Sequence, residues 1–236
     1  MTTKPAVIRQ GLAFAILPLT LACTNVLAQA VPGGTLDPNT ILKYVSPLVI
    51  PKVLFDDAGV PLNVSIALRQ FQQQVLPAGF PTTTLWGYCD GSQPGTATCS
   101  NPADTLEVTR NTSTTVTWVN DLVDAQGGFL PHIIQDANGN PVIDQTLHWA
   151  APNGSVICDG LEVSDCRGVQ PEAAQPYTGP VPMVTHVHGA HVGPVSDGYP
   201  EAWWLPNANN LAGYATTGTF YDTSAPADAG SAVYTY

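Results

Sequence analysis

The chain has 236 residues, of which 18 are acidic and 7 are Lys or Arg, and its formal charge is −11. An acidic chain with scattered basic residues lacks the electrostatic footprint of a nucleic-acid-binding protein. Only 11% of the residues are charged, whereas Gly (21) and Pro (22) are abundant. This composition favours short strands joined by turns over helices, and the length allows one or two domains with a hydrophobic core.

The N-terminus has the pattern of a secretory signal. A short basic region precedes an apolar stretch over residues 11–22, which is too short to span a bilayer, and Ala28-Gln29-Ala30 fits a cleavage site. A lipoprotein signal ending at Cys23 is the alternative. We therefore predict a signal peptide over 1–30, export to the periplasm or the extracellular space, and no membrane span.

The rest of the chain predicts an all-β fold. Residues 31–60, rich in Pro, Gly and Asp, predict an arm that wraps the surface. Apolar and polar residues alternate over 62–68 and predict a strand, which the polar run 70–74 continues through a bulge. Further strands are expected at 82–88, 106–109, 114–119 and 184–188, with a hairpin over 131–148 and loops over 150–180 and 207–231. Strands at this spacing indicate a sandwich or a barrel.

The cysteines indicate disulfides. Signal cleavage would remove Cys23 and leave an even number, Cys89, Cys99, Cys158 and Cys166, which in an exported chain suggests disulfide pairing. Three pairings are available, and loop closure favours Cys89–Cys99 with Cys158–Cys166 because both spans are short and turn-rich. Metal ligation is the less favoured reading, since neither spacing is Cys-x-x-Cys.

The stretch Thr185-His186-Val187-His188-Gly189 carries the clearest chemical signal. Side chains at i and i+2 of a strand point to one face, roughly 6–7 Å apart along the chain, so both imidazoles would face one region. Such a pair suits zinc or copper, and the local pattern does not choose between the metals. Any single histidine is more often only a polar strand residue.

This motif, followed by Ser196-Asp197-Gly198-Tyr199-Pro200-Glu201-Ala202-Trp203, resembles the first copper-binding motif of bacterial multicopper oxidases. The most similar group contains spore-coat laccase, bilirubin oxidase and phenoxazinone synthase. Residues 83–88, 106–108 and 117–122 resemble the opening strands of the family's first cupredoxin domain, so the resemblance covers about residues 60–236. It implies a cupredoxin-like antiparallel Greek-key β-sandwich over 61–236, incomplete at its C-terminal end.

The resemblance also implies residue roles. His186 matches the ligand of a type 2 copper, and His188 matches a ligand of a type 3 copper. Asp197 matches an acidic residue that assists proton delivery near the copper cluster; a turn residue before Gly198 is the equally simple alternative. His191 has no ligand counterpart and is expected to be a loop residue.

The family couples one-electron oxidation of a substrate to reduction of dioxygen to water. Only two of its cluster ligands are matched here, so we expect an N-terminal part of an exported multicopper oxidase that is inactive alone. Its partners would be the missing C-terminal cupredoxin domains, a small-molecule or metal-ion reductant and dioxygen. The alternatives are a stand-alone periplasmic copper-binding or copper-buffering protein and a non-catalytic β-sandwich.

Overall fold

A computed structural model describes residues 36–55, 62–132, 157–158, 161–162, 179–224 and 228–236. The chain divides into two compact units, Met1–Leu42 and Lys43–Tyr236. The described part of the first unit contains one 3-10 turn, η1 (Pro38–Thr40), which begins where the Asp37 carboxylate accepts the backbone N–H of Asn39. The predicted signal peptide lies outside the described residues, as does nearly all of the predicted hairpin.

Strands dominate the regular structure of the second unit. They are β1 (Val53–Phe55), β2 (Asn63–Gln73), β3 (Thr83–Asp90), β4 (Thr105–Glu107), β5 (Thr115–Asn120), β6 (Ile157–Cys158), β7 (Leu161–Glu162) and β8 (Ser231–Thr235), with 3-10 turns η2 (Pro194–Ser196) and η3 (Thr219–Asp222). This arrangement of open sheets is consistent with a β-sandwich. Within the described ranges, no helix is long and apolar enough to cross a membrane.

The main sheet has four strands in the order β3-β2-β5-β8. β2 pairs antiparallel with β3 and parallel with β5, and β5 pairs antiparallel with β8. β1 and β4 form a separate parallel pair. The sequence analysis predicts antiparallel sheets, but two of the strand pairs, β2 with β5 and β1 with β4, are parallel. The chain between β2 and β5 is a long crossover that includes β3 and β4, and a crossover of that length permits parallel pairing.

The longest strand, β2, has no bulge where the sequence predicts one. It pairs with β3 residue by residue without an extra position. Its polar C-terminal half stays in the ladder because side chains bond across the strands: Gln72 Nε2 donates to Thr84 Oγ1 at 2.6 Å, and Trp86 Nε1 donates to Gln70 Oε1 at 3.0 Å. Such cross-strand pairs stabilise a solvated sheet face.

One predicted loop contains two short strands, and another ends where an unpredicted strand begins. The region 150–180 includes the short antiparallel pair β6 and β7, and β8 follows directly after the predicted loop 207–231. The sequence pattern does not predict β8, because the strand is only five residues long. Its buried residues Ala232 and Tyr234 can be recognised as core positions only when β5 is known to lie beside them. The proposed partner of Cys158, Cys166, lies outside the described residues.

The loop after β3 is closed by a disulfide between Cys89 and Cys99, the local pairing that loop closure favours. Arg69 of β2 fastens this loop to the sheet. It donates to the carbonyl of Gln93 at 2.7 Å, and its Nε lies 2.6 Å from Oδ2 of Asp121 at the end of β5. The Arg69 side chain is only 12% exposed, so the ion pair is largely shielded from solvent screening.

The hydrophobic core joins the sheet to the irregular chain that follows residue 179. Its buried members come from β5, β8 and that irregular chain: Val116, Trp118, Met183, Trp204, Ala232 and Tyr234. Trp204 and Tyr234 pack edge to face, with ring centroids 6.2 Å apart, an arrangement that aromatic rings prefer. The irregular layer that contains the histidine motif therefore packs against the sheet.

A buried amide makes the polar link between the two layers. Asn120, at the end of β5, is 2% exposed. Its Nδ2 donates to the carbonyls of Val181 at 2.8 Å and Trp204 at 3.1 Å. Met183 and Trp204 also exchange two backbone hydrogen bonds of 2.9 Å. The chain between 183 and 204 is thus a loop whose two ends are held together on the sheet.

We expect Asn120→Asp to lower the free energy of unfolding by roughly 3 kcal/mol, because the carboxyl group keeps the shape of the amide but removes both donors from two buried carbonyls. Urea denaturation measures the loss. Asn209→Asp is the matched control: its exposed amide makes a comparable bond to the Gln126 carbonyl at 2.8 Å, and its loss should cost less than about 1 kcal/mol. Equal losses in the two variants would contradict the role given to Asn120.

Buried phenols surround β8. Burial raises the pKa of Tyr221, Tyr234 and Tyr236 above the usual tyrosine range. At Tyr234 the shift is largest, and the neighbouring Tyr221 adds to the effect of burial. The folded protein therefore keeps phenol protons that the unfolded chain releases at lower pH.

These shifts predict alkaline destabilisation. The stability that the protonated phenols confer is fully present below about pH 10 and is lost as the pH rises above it, because only the unfolded chain then releases the protons. Tyr234→Phe should make this fall shallower, whereas Tyr44→Phe, at a fully exposed position, should leave it unchanged. Urea denaturation at a series of pH values tests this, and an unaltered slope in Tyr234→Phe would contradict it.

Candidate metal centre

The segment that bears the two histidines is not a strand. Its backbone pairing ends at the isolated bridge between Met183 and Trp204, residues 184–187 have no ladder partner, and a turn begins at His188. The strand predicted over 184–188 is therefore wrong. Among the described residues, no strand pairs with this segment through its backbone, and the turn at Gly198 approaches it closely.

His186 and His188 nevertheless lie together. Their ring centroids are 6.0 Å apart and the ring planes make an angle of 38°. Thr185 is buried, whereas both histidines are exposed. The short distance between the rings shows that the two imidazoles lie on one side of the chain, as the i, i+2 spacing predicts, although residues 184–187 pair with no described strand.

A backbone contact sets the tautomer of His186. Its Nδ1 lies 2.5 Å from the carbonyl oxygen of Asp197. A carbonyl only accepts hydrogen bonds, so Nδ1 carries a proton, and in the neutral ring Nε2 has the lone pair that a metal ion requires. The Asp197 carboxylate oxygen Oδ1 lies 3.8 Å from the same nitrogen. Metal-binding imidazoles commonly have such a partner on the nitrogen that does not bind the metal.

The position of Asp197 follows from η2, which the sheet anchors. Asp197 ends η2, with its backbone N–H directed to the Pro194 carbonyl at 3.4 Å. The preceding residue, Ser196, is buried, and its Oγ accepts the backbone N–H of Thr235 on β8 at 2.9 Å. The sheet therefore fixes the carbonyl that holds His186. Asp197 also fills the turn position that the simpler interpretation assigns to it.

Gly198 permits the two halves of the site to meet. Its φ is +75°, in the left-handed region that favours glycine, and a Cβ there would overlap the carbonyl group of Thr185. Any larger residue would push the segment 185–186 away from the Asp197 carbonyl. The Asp-Gly pair is a recognisable turn signal in the sequence, but the close approach to Thr185 is visible only in the fold.

Three glycine substitutions distinguish the energetic cost of a left-handed backbone from the cost of a steric overlap with a neighbouring residue. Gly193→Ala should be nearly neutral, because Gly193 has φ −72° and open space around it. Gly189→Ala should cost about 1–2 kcal/mol, since Gly189 has φ +78° but no neighbour within reach of a Cβ. Gly198→Ala has both penalties and should exceed the Gly189→Ala cost by at least about 1 kcal/mol.

Urea denaturation measures these costs, and NMR of the His186 ring reports whether its Nδ1 proton remains protected. We expect the protection to be lost only in Gly198→Ala. If Gly198→Ala and Gly189→Ala behave alike by both measurements, the close approach does not position the histidine.

The donor set fits copper in part. Imidazole nitrogens suit this metal, and the geometry directs Nε2 of His186 away from the protein contact. In the described ranges, no group of three or more His, Cys, Asp and Glu side chains is arranged to hold a metal ion. Two imidazoles are fewer ligands than a tightly held ion needs, so an ion bound here would draw further ligands from elsewhere.

Sequence reasoning identified the two histidines and Asp197 but not what supports them. Ser196 and Asp197 belong to the motif, but the motif does not reveal the contacts of the Ser196 hydroxyl and the Asp197 carbonyl, and Asn120 belongs to no motif. Each acts through a partner distant in the sequence, so local spacing gives no signal for it. A polar residue in the alternating strand 115–120 is the one hint that Asn120 is unusual, because its side chain falls on the buried face.

Comparison with known proteins adds a family relationship. No protein-family model matches the chain. Among curated proteins, it is similar to the laccase of Bacillus subtilis (strain 168), with 30% identity over 177 residues, which cover 74% of this chain and 26% of that protein. This similarity supports a relationship to the multicopper oxidases at the level of the family.

Proposed function

We propose that this chain is the N-terminal part of an exported multicopper oxidase and contributes two copper-binding imidazoles to it. The observation that carries the proposal is the pair His186 and His188, with ring centroids 6.0 Å apart, in a chain related to a laccase. The contact between Nδ1 of His186 and the Asp197 carbonyl supports it further, because it leaves Nε2 unprotonated and outward.

In this proposal His186 holds a type 2 copper through Nε2 and His188 holds a type 3 copper. Copper, when bound, supplies the one-electron chemistry that couples substrate oxidation to reduction of dioxygen to water. The chain's own residues orient the imidazoles and hold or transfer protons. The Asp197 carbonyl keeps the proton on Nδ1 of His186, and the Asp197 carboxylate, 3.8 Å from that nitrogen and 30% exposed, is placed to pass protons between solvent and the site.

Two imidazoles do not complete such a site. We infer that the remaining ligands come from further cupredoxin domains, for which the present residues 61–236 form the first Greek-key domain. The partners would then be those domains, a small-molecule or metal-ion reductant and dioxygen. Export through residues 1–30 would place the protein in the periplasm or outside the cell, and this chain alone would not turn over.

A stand-alone copper-binding or copper-buffering protein is the second candidate. The exposure of the His186 side chain, 46%, favours it, because an accessible pair of imidazoles can exchange metal with its surroundings. This function needs only reversible binding and no dioxygen reduction. The two candidates therefore differ in whether the chain takes part in dioxygen reduction once further domains are joined to it.

Removing either imidazole should weaken copper binding to the tag-free chain. We expect weak Cu²⁺ binding by calorimetry, with nitrogen couplings in the electron paramagnetic resonance spectrum, and at least about tenfold weaker binding in His186→Ala and in His188→Ala. His191→Ala is the matched control, because His191 is an exposed histidine in the same loop, and it should bind like the parent chain. Unchanged binding in both His186→Ala and His188→Ala would contradict the assignment.

The same preparation tests the need for other domains. The copper-loaded chain should have no blue absorption and should not consume dioxygen with a phenolic substrate. Oxygen uptake by the isolated chain would show that its own residues complete the site, and the proposed division of ligands would then be wrong.

A further inference from the structure

A cavity of about 540 Å³ lies in the second unit and is lined by residues other than the two histidines. It is lined by parts of β1, β2, β3, β4 and β5 and by the loop that the Cys89–Cys99 disulfide closes. The volume falls within the roughly 300–1,000 Å³ typical of sites for small organic ligands. None of its lining residues belongs to the candidate metal centre.

The cavity opens where the main sheet loses a strand. β2 begins at Asn63, but its pairing with β3 begins only at Ile66, opposite Asp90. Beyond that point the chain turns away into the disulfide loop, held by one bond from the Gly91 N–H to the Ser65 carbonyl at 2.8 Å. The β1–β4 pair forms a separate two-stranded sheet. On the β3 side, no strand that the structure describes therefore fills the space beside residues 63–65.

The interior of the cavity is apolar and aromatic. Branched side chains line it from three strands: Leu54, Val64, Ile66 and Leu106. Tyr88 and Trp118 add two rings in contact, with centroids 5.2 Å apart and an interplanar angle of 58°. Such surfaces accept an aromatic or branched apolar body, and the faces of Tyr and Trp also attract cations.

The rim has three charged side chains, Lys52, Asp90 and Asp104. Asp90 is already satisfied: one of its oxygens accepts the backbone N–H and the hydroxyl of Ser92 at 2.8 and 2.6 Å. Lys52 lies near enough to Asp90 to stabilise its charge. In the part of the chain that the structure describes, Asp104 has neither a hydrogen bond nor an ion pair. One carboxylate without a partner among the described residues thus lines a cavity that also contains two aromatic rings.

We propose that this cavity binds a small organic cation, an arylalkylamine, with its ring against Tyr88 and Trp118 and its ammonium group paired with Asp104. An anion would meet two carboxylates against one lysine, and a neutral ligand would leave Asp104 without a partner. The proposal does not depend on copper binding or on the proposed oxidase function.

The probe is 2-phenylethylamine, titrated into the full chain and followed by tryptophan fluorescence and NMR. The neutral 2-phenylethanol and the anionic 3-phenylpropionate have similar bodies and test the charge. We expect the amine to bind most tightly and the anion most weakly. Asp104→Asn should weaken amine binding about three- to tenfold and leave alcohol binding unchanged, because it removes only the charge.

Two further variants keep the test decisive. Glu107→Gln is the matched control, since Glu107 is an exposed carboxylate close by in the chain that does not line the cavity, and it should bind the amine like the parent. Ala103→Leu places bulk in the cavity and should weaken the amine and the alcohol alike, with circular dichroism confirming that the variant folds.

The affinities of the three probes in the parent chain and in the variants decide whether Asp104 recognises a cation. Preference for the amine that disappears in Asp104→Asn and persists in Glu107→Gln supports the proposal. Equal affinity for all three probes, no saturable amine binding, or the same affinity in Asp104→Asn as in the parent would overturn it.

Discussion

The Asn120 side chain, buried at the end of β5, donates both of its amide hydrogens to carbonyls of the irregular layer. Because Val181 and Trp204 lie at the two ends of one loop, this contact and the backbone bonds between Met183 and Trp204 hold the loop closed on the sheet. The candidate metal residues all lie within that loop. Their geometry therefore depends on a polar group that touches none of them.

Inside the loop, two contacts fix the position of the His186 imidazole. Ser196 binds the backbone of β8, which fixes the Asp197 carbonyl, and Gly198 lets the Thr185 backbone approach closely enough for His186 to reach that carbonyl. The result is a protonated Nδ1 and an available Nε2. Under the proposed function, this nitrogen is the one that would bind copper.

The same sheet also leaves a space beside the first residues of β2, beyond the end of β3. β3 ends at Asp90, opposite Ile66, and the chain then enters the disulfide loop. Arg69 holds that loop through the Gln93 carbonyl and is itself paired with Asp121. The proposed cation site and the proposed metal centre use different residues of one scaffold, so each can be altered without removing the residues of the other.

Local patterns in the sequence predict the β-rich class and most of β2, β3 and β5, because apolar and polar residues alternate there. The short span between Cys89 and Cys99 predicts their pairing, and the i, i+2 spacing predicts the shared side of His186 and His188. The parallel pairing of β2 with β5, the strand β8 and the absence of a strand over 184–188 follow from the fold. Strand pairing is a contact between distant segments, and no local pattern specifies which partner arrives. The Asp197 carbonyl, the Ser196 hydroxyl and the Asn120 amide are ordinary polar groups whose roles exist only where the fold brings their partners within hydrogen-bond distance.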